Sequence, residues 1–161
     1  MEWYTPSNIV ELARQVMGGI DLDPASTPSA NGIVKADKFY TVEDDGLKHP
    51  WYGRVWLNPP YKQPLVRRFT EAAIQKYRAG EIAQAIILVN NGTETRSLQG
   101  LFKAASAVCF PKGRIRFLDT DGNPVKTPLQ GQAVFYFGHS VSHFIGVFSD
   151  LGAALPLTAH E

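Results

Sequence analysis

The sequence has few of the residues that mark disulfide-bonded, metal-binding or membrane proteins. Its 161 residues include one cysteine, Cys109, which excludes an internal disulfide and a thiolate metal cluster, and its 4 histidines show no ligand spacing with that cysteine. The longest apolar run, residues 85–89, is far too short to span a membrane, and the N-terminus lacks the basic and then apolar pattern of a signal peptide. We expect no metal site, no membrane segment and a reducing, cytosol-like compartment.

The chain also has almost no excess charge of either sign. Its formal net charge is +1 at pH 7, and 44% of its residues are hydrophobic against 19% charged. This composition is typical of a folded globular protein rather than a disordered one. A nucleic-acid partner would therefore have to bind to a local basic patch, because the net charge supplies no general attraction.

The order of hydrophobic patterns predicts an α/β fold. Helical spacing of apolar residues predicts helices that begin near Ser7, Pro64 and Thr93 or Thr95. Strands are predicted at residues 20–23, 54–57, 83–89, 107–110, 113–117, 131–137 and 143–148. Residues 27–32 are predicted to be a loop, residues 33–41 fit either a short helix or a strand, and residues 151–161 are predicted to be a surface tail.

The segments between these elements indicate how the strands are arranged. Residues 83–89 are rich in apolar side chains, which is typical of a central parallel strand. The later strands are joined too tightly for crossover connections, so we expect an antiparallel C-terminal strand pair. We therefore predict a single domain, residues 1–161, with a mostly parallel sheet.

The most informative stretch is the strand at residues 54–57 and the polar segment that follows it, Asn58-Pro59-Pro60-Tyr61. Both prolines lack a backbone N–H, and Pro60 restricts Pro59 to an extended conformation, so the Pro59 carbonyl is held as a fixed acceptor. The Asn58 amide offers a second acceptor and Tyr61 a flat ring that can stack on a base. Open α/β sheets bind ligands at the carboxyl ends of strands. The segment therefore suits a planar base with an exocyclic amine, although a proline-rich structural turn is the alternative.

This tetrapeptide resembles the Asn/Asp-Pro-Pro-Tyr motif of adenine and cytosine amino-methyltransferases. Other segments extend the resemblance in chain order, so that the chain is similar to the phage-type DNA N-6-adenine methyltransferases (the Dam family) from about Trp3 to Phe148. The further segments are Trp3-Tyr4-Thr5-Pro6, Asp21-Leu22-Asp23-Pro24-Ala25-Ser26, Asp45-Gly46-Leu47, Trp51, Gly113-Arg114-Ile115-Arg116-Phe117 and Gln130-Gly131-Gln132.

The resemblance implies a Rossmann-like fold that uses S-adenosylmethionine to methylate the 6-amino group of adenine in DNA, with the base flipped out of the helix. It implies a monomer of phage or prophage origin in the cytoplasm of a bacterial host. Its catalytic residues would be Asn58, Pro59, Pro60 and Tyr61. Its cofactor-binding residues would be Tyr4, Thr5, Pro6, Asp21, Asp23, Pro24, Ala25 and Asp45.

The sequence departs from the family pattern in two places. Ala25-Ser26-Thr27 stand where a Gly-x-Gly segment would let backbone N–H groups approach the cofactor. The stretch between Asp23 and Asn58 is too short for two further strand–helix units, so we expect a sheet that is trimmed at one edge. Asp37, Glu43 and Asp45 all remain candidates for the cofactor ribose. Strand-end capping by Asp21 and Asp23, a turn role for Asp45 and core packing of Tyr4 are the structural alternatives.

Basic residues near these segments are candidates for contacts with DNA phosphates. They are Lys62, Arg67, Arg68, Lys112, Arg114 and Arg116, although the two last could be ordinary solvent-facing strand residues. Residues 118–129 are a candidate loop for recognising the target site. Two other functions stay open at this point: methylation of RNA or of another amine, and an inactive nucleic-acid-binding module that has kept the fold.

Overall fold

The computed structural model describes residues 5–113, 115–124 and 131–157. In these residues the chain forms five α-helices and seven strands. The helices are α1 (Ser7–Met17), α2 (Pro28–Val34), α3 (Leu65–Arg78), α4 (Arg96–Ala104) and α5 (Val141–Phe148). The strands are β1 (Leu22–Asp23), β2 (Lys38–Phe39), β3 (Gly53–Leu57), β4 (Ile82–Asn90), β5 (Ala107–Pro111), β6 (Gln132–Phe137) and β7 (Gly152–Pro156), and a 3-10 helix at Gly46–Lys48 precedes β3.

The strands form one sheet in the order β2-β1-β3-β4-β6-β5-β7. The first four strands pair in parallel. Strand β6 lies antiparallel between β4 and β5, and β7 is antiparallel to β5 at the far edge. Five of the seven strands therefore run in one direction, which confirms the predicted mostly parallel, Rossmann-like α/β fold. The edge formed by β1 and β2 consists of two-residue strands, as expected for a trimmed sheet.

The sheet is buried on both faces, and strand β4 shows this most clearly. Its side chains alternate, so that Ile86 and Leu88 pack in one apolar cluster and Ile87 and Val89 in another. Helices α1 and α5 cover the first face, and α3 and α4 cover the second. A strand that is covered on both faces has no solvent-facing positions at its centre, which explains why this one is apolar almost without alternation.

Residues 143–148, predicted as a strand, belong instead to helix α5. Phe144 and Phe148 are four residues apart, lie on the same face of the helix and pack with ring centroids 4.6 Å apart. A short apolar run fits both a buried strand and a buried helix, and periodicity alone cannot separate the two.

Three other segments also differ from the prediction. Residues 27–32 are the capped start of α2, with the Thr27 hydroxyl accepting from the Ala30 N–H at 3.0 Å. Residues 115–117 form no strand, although Ile115 and Phe117 are buried. The surface tail predicted from Leu151 instead contributes β7, whose backbone pairs with β5. Strand pairing over a long sequence distance leaves no local pattern, which is why β7 was missed.

The fold brings the carboxyl ends of β1, β3 and β4 to the same edge of the sheet. Because β6 is antiparallel to β4, its first residue, Gln132, pairs with the last residue of β4, Asn90. The start of β6 therefore reaches the edge at which β3 ends. In the described part of the chain, no helix has the length and apolar character that crossing a bilayer requires.

Candidate active site

A cavity of about 570 Å³ opens at the carboxyl ends of β1 and β3. Its volume lies in the range of about 300–1,000 Å³ that is usual for small-molecule sites. Its walls are formed by Thr5, the 23–27 loop, helix α2, parts of the 41–46 loop, Trp56, the residues 58–61, the start of α3 and Phe117. The cavity thus lies where open α/β sheets hold their ligands.

The segment Asn58-Pro59-Pro60-Tyr61, called the elbow from here on, forms one wall of the cavity. The preceding residue, Leu57, is fully buried at the end of β3, which fixes where the elbow begins. Both ends of the Asn58 amide are hydrogen-bonded: Nδ2 donates to Thr5 Oγ1 at 3.0 Å, and Oδ1 accepts from the Tyr61 hydroxyl at 2.8 Å. The amide is therefore held in one orientation.

Hydrogen bonds extend from the elbow to the neighbouring strands. The Tyr61 hydroxyl also lies 3.3 Å from Gln132 Oε1, and Gln132 Nε2 donates to Asn90 Oδ1. Burial raises the pKa of Tyr61 far above its ordinary value. The hydroxyl therefore stays protonated at neutral pH, and it acts as a hydrogen-bond donor rather than as a base.

Asp23 is the buried acid of the cavity, with 2% of its surface exposed. Burial raises the pKa of its carboxyl to about 7, against the opposing effect of hydrogen bonds from the Ala25 N–H and from Ser26. Ala25 donates to Asp23 Oδ1 at 3.1 Å, and no salt bridge within the described residues reaches the carboxylate. A positively charged ligand group would stabilise the ionised form, so Asp23 suits an ammonium group.

Asp45 and Gly46 also line the cavity, and Gly46 packs against the 23–27 loop. The Asp45 carboxylate accepts from the Leu47 N–H at 3.2 Å, and its φ of 58° is left-handed. A Cβ at residue 46 would lie 2.0 Å from the Pro24 carbonyl oxygen, so glycine is required for this approach. The chain lacks Gly-x-Gly after β1, and Gly46 instead allows the two loops that line the cavity to make a close backbone contact.

Several residues predicted for the cofactor lie elsewhere. Asp21 does not line the cavity; its carboxylate pairs with the Arg54 guanidinium, at 2.8 Å to Nε and 2.9 Å to Nη2. Hydrogen bonds from Arg54 hold the pKa of Asp21 below its ordinary value. Pro6 caps α1 and does not line the cavity either. Tyr4 lies outside the described residues.

Of the three acidic residues considered for the ribose, Asp45 lines the cavity, whereas Asp37 and Glu43 do not. Thr5, Asp23, Pro24, Ala25 and all four elbow residues also line it, so most of the predicted site comes together. Sequence reasoning missed the contribution of helix α2, whose Ala30, Ile33 and Val34 form an apolar wall. The Thr27 and Pro28 pair was the available signal, since both residue types favour a helix start.

The predicted DNA-binding side chains lie on the surface. Lys62, Arg68, Lys112 and Arg116 are exposed, while Arg67 is half-buried and lies 3.9 Å from Glu71. Lys62 follows the elbow directly in the chain. Arg114 and residues 125–130 of the candidate recognition loop lie outside the described residues. In the ranges that the structure describes, no group of three or more His, Cys, Asp or Glu residues could hold a metal ion.

Comparisons with known proteins agree with this arrangement. A family model described as DNA N-6-adenine-methyltransferase (Dam) matches residues 2–146. The matched segment includes Asp23, the Asp45 loop and the elbow. A search of curated proteins found no match.

Proposed function

Since the chain belongs to the DNA N-6-adenine-methyltransferase (Dam) family, we propose that it uses S-adenosylmethionine to methylate the 6-amino group of adenine in DNA, after the base is flipped out. Family membership itself implies DNA adenine methyltransferase activity. The observation that carries the finer proposal is the elbow, in which two hydrogen bonds fix the Asn58 amide, and Asn58 and Pro59 both line the cavity. The single domain, the monomeric state and the location in a bacterial cytoplasm stay predictions.

The cavity fits S-adenosylmethionine in both size and chemistry. Asp23 would hold the ammonium group, because its buried carboxylate has no cationic partner among the described residues. Asp45 would bind the ribose, and the apolar wall formed by α2 would contact the adenosine end of the cofactor. When bound, S-adenosylmethionine supplies an activated methyl group on its sulfonium.

The elbow would act on the adenine amine through two acceptors. Asn58 Oδ1 and the Pro59 carbonyl would each accept one N–H of the amine, which localises a nitrogen lone pair that is otherwise spread into the ring. The same acceptors would stabilise the positive charge that develops on the nitrogen, and they would orient the amine for reaction. No strong base is required, because the amine proton becomes acidic once nitrogen carries the methyl group.

Base flipping follows from where the acceptors lie. An adenine inside a duplex cannot reach a cavity wall, so the nucleotide must rotate out of the stack. The Tyr61 ring could then stack on the base, a contact worth about 1–3 kcal/mol. Phosphates on either side of the flipped nucleotide would be held by the exposed basic residues beside the elbow, such as Lys62.

DNA binding should depend steeply on salt although the chain is nearly neutral. Each lysine or arginine that neutralises a phosphate contributes about 0.9 to the slope of log affinity against log salt concentration. We expect Lys62→Ala and Arg116→Ala each to lower that slope by about this amount, as measured by fluorescence anisotropy. Lys103→Ala is the matched control, because Lys103 lies in the last turn of α4, which leads to the opposite end of the sheet. Unchanged slopes in both test variants would place the DNA surface elsewhere.

Cofactor affinity should increase with pH through the titration of Asp23. Its pKa of about 7 means that the carboxyl is mostly neutral at pH 6 and mostly ionised at pH 8, and the ionised form attracts the ammonium group. We expect the affinity of the wild type relative to Asp23→Asn to rise about tenfold across this interval. The affinities of both proteins are measured by calorimetry at each pH. Ionisation of the cofactor itself affects both affinities equally and therefore drops out of their ratio. A constant ratio would remove Asp23 from the cofactor site.

The proposed function is tested with methyl-labelled S-adenosylmethionine and separate DNA, RNA and protein substrates. Label in DNA adenine is the expected result. Label found only in RNA or only in protein would agree with the proposed elbow chemistry but would identify a different substrate. Binding of the cofactor without any methyl transfer would instead indicate an inactive nucleic-acid-binding module. The absence of a Gly-x-Gly segment is the feature that favours this alternative.

A further inference from the structure

The amide of Asn58 and the hydroxyl of Tyr61 are held by residues that are distant in sequence. Thr5, at the start of the described chain, accepts from Asn58 Nδ2, and it is 6% exposed. Gln132, the first residue of β6, presents Oε1 to the Tyr61 hydroxyl and is 5% exposed. Both are buried polar side chains, so the geometry of their contacts is constrained by their surroundings.

The Tyr61 hydroxyl lies between two acceptors that it cannot serve at once. It is 2.8 Å from Asn58 Oδ1 and 3.3 Å from Gln132 Oε1, and a phenol has one proton to donate. In the protein without substrate, the shorter contact uses one of the two lone pairs of Asn58 Oδ1, the same atom that must accept from a substrate amine. Gln132 Oε1 faces Tyr61 because the other end of its amide, Nε2, donates to Asn90 Oδ1.

We propose that Thr5 and Gln132 are positioning residues for the elbow, an inference that rests on the proposed function. When an adenine amine approaches, Gln132 gives the Tyr61 hydroxyl a second acceptor, so that Asn58 Oδ1 no longer shares its electron density with Tyr61 and accepts more strongly from the amine. Thr5 meanwhile holds Asn58 Nδ2, so the amide does not turn its N–H groups toward the amine. Neither residue needs to touch the reacting atoms.

Thr5→Val tests the first part, because valine keeps the size of threonine and removes the acceptor. We expect kcat to fall about tenfold, the scale of one neutral hydrogen bond, with an unchanged KM for S-adenosylmethionine and recovery in Thr5→Ser. Thr70→Val is the matched control: Thr70 is a buried threonine whose hydroxyl bonds the Arg67 carbonyl within α3. A raised KM with unchanged kcat would make Thr5 a cofactor contact and overturn its positioning role. Equal losses of kcat in Thr5→Val and Thr70→Val would also overturn it.

Gln132→Leu tests the second part in a double-mutant cycle with Tyr61→Phe. If Gln132 acts through the Tyr61 hydroxyl, Gln132→Leu should lower kcat about three- to tenfold in the wild type and have no further effect in Tyr61→Phe. A purely structural role would lower kcat by the same factor in both backgrounds. Additive losses would therefore overturn the proposal.

A readout that needs no substrate separates this proposal from the proposed function. In protein labelled with ¹⁵N-asparagine, the side-chain NH₂ signal of Asn58 should shift and exchange faster with solvent in Thr5→Val but not in Thr70→Val. An unmoved signal would overturn the contact itself. A wild type that methylates no DNA adenine would overturn the proposed function and the catalytic role together. An active wild type whose Thr5→Val variant keeps its kcat would overturn the positioning role alone.

Discussion

Asn58→Ala should slow methyl transfer by about 100- to 1,000-fold, the usual cost of removing one preorganised group that stabilises transition-state charge. The substitution removes one acceptor for the amine and leaves the other, the Pro59 carbonyl. Cofactor binding should persist, because Asp23 and the apolar wall of α2 lie on other segments of the cavity. The measurement is a single-turnover rate at saturating S-adenosylmethionine and DNA, with affinity for the cofactor determined separately by calorimetry.

Asn58→Asp is the matched variant for this experiment. A carboxylate keeps an acceptor at the same position, so the rate should lie well above that of Asn58→Ala. The Asn/Asp-Pro-Pro-Tyr motif that the tetrapeptide resembles carries either residue at this position. An Asn58→Ala protein that binds the cofactor and turns over at the wild-type rate would make the elbow a structural turn.

Asp23→Ala should weaken binding of S-adenosylmethionine by about 1.5–3 kcal/mol, the range for a hydrogen bond that involves a charged group. The effect should be largest near pH 8, where the carboxyl is ionised, because its pKa is about 7. Wild-type affinity in a folded Asp23→Ala protein at that pH would remove Asp23 from the site.

The stability of a second variant, Asp23→Asn, provides a control with a definite sign. Burial raises the pKa of Asp23 from 3.8 to about 7 in the folded state. The folded state therefore holds this proton more tightly than the unfolded state, and Asp23 lowers stability as pH rises from about 4 to about 7. Asp23→Asn should remove that decline in thermal denaturation. Weaker cofactor binding by Asp23→Asn at pH 8 thus cannot be attributed to a less stable fold.

The parts of this structure that could be predicted from sequence are those with a strong local pattern. Strand β4 is a long apolar run, and the elbow follows a strand and contains two prolines that restrict the backbone. Its position at the carboxyl end of β3 then places it at the ligand-binding edge of any open α/β sheet. Asp23 could be located for the same reason, since it ends β1.

The contacts that could not be predicted join residues far apart in the chain. Nothing near Asp21 indicates that Arg54 will neutralise it, and this ion pair removes Asp21 from the cavity. The approach of Gly46 to the Pro24 carbonyl likewise depends on how two loops pack. Local pattern identifies the residue types, whereas the sheet order decides which of them meet.

Tyr61 combines a feature that the local sequence predicts, its ring, with contacts that only the fold determines, those of its hydroxyl. The sequence predicts a stacking ring whose hydroxyl has no assigned role, so that Tyr61→Phe would retain much of the activity. The structure places that hydroxyl 2.8 Å from Asn58 Oδ1, between the elbow and β6. Gln132 comes within reach because β6 is antiparallel to β4, a feature of topology that has no signal within the elbow itself.

The identity of the methylated nucleoside is the most direct test of the central claim. DNA is incubated with S-adenosylmethionine that carries a deuterated methyl group and with either the wild type or Asn58→Ala, then digested to nucleosides and analysed by mass spectrometry. We expect deuterated N6-methyladenine with the wild type, and its formation about 100- to 1,000-fold more slowly with Asn58→Ala. Label on cytosine, or equal rates with the two proteins, would contradict the central claim.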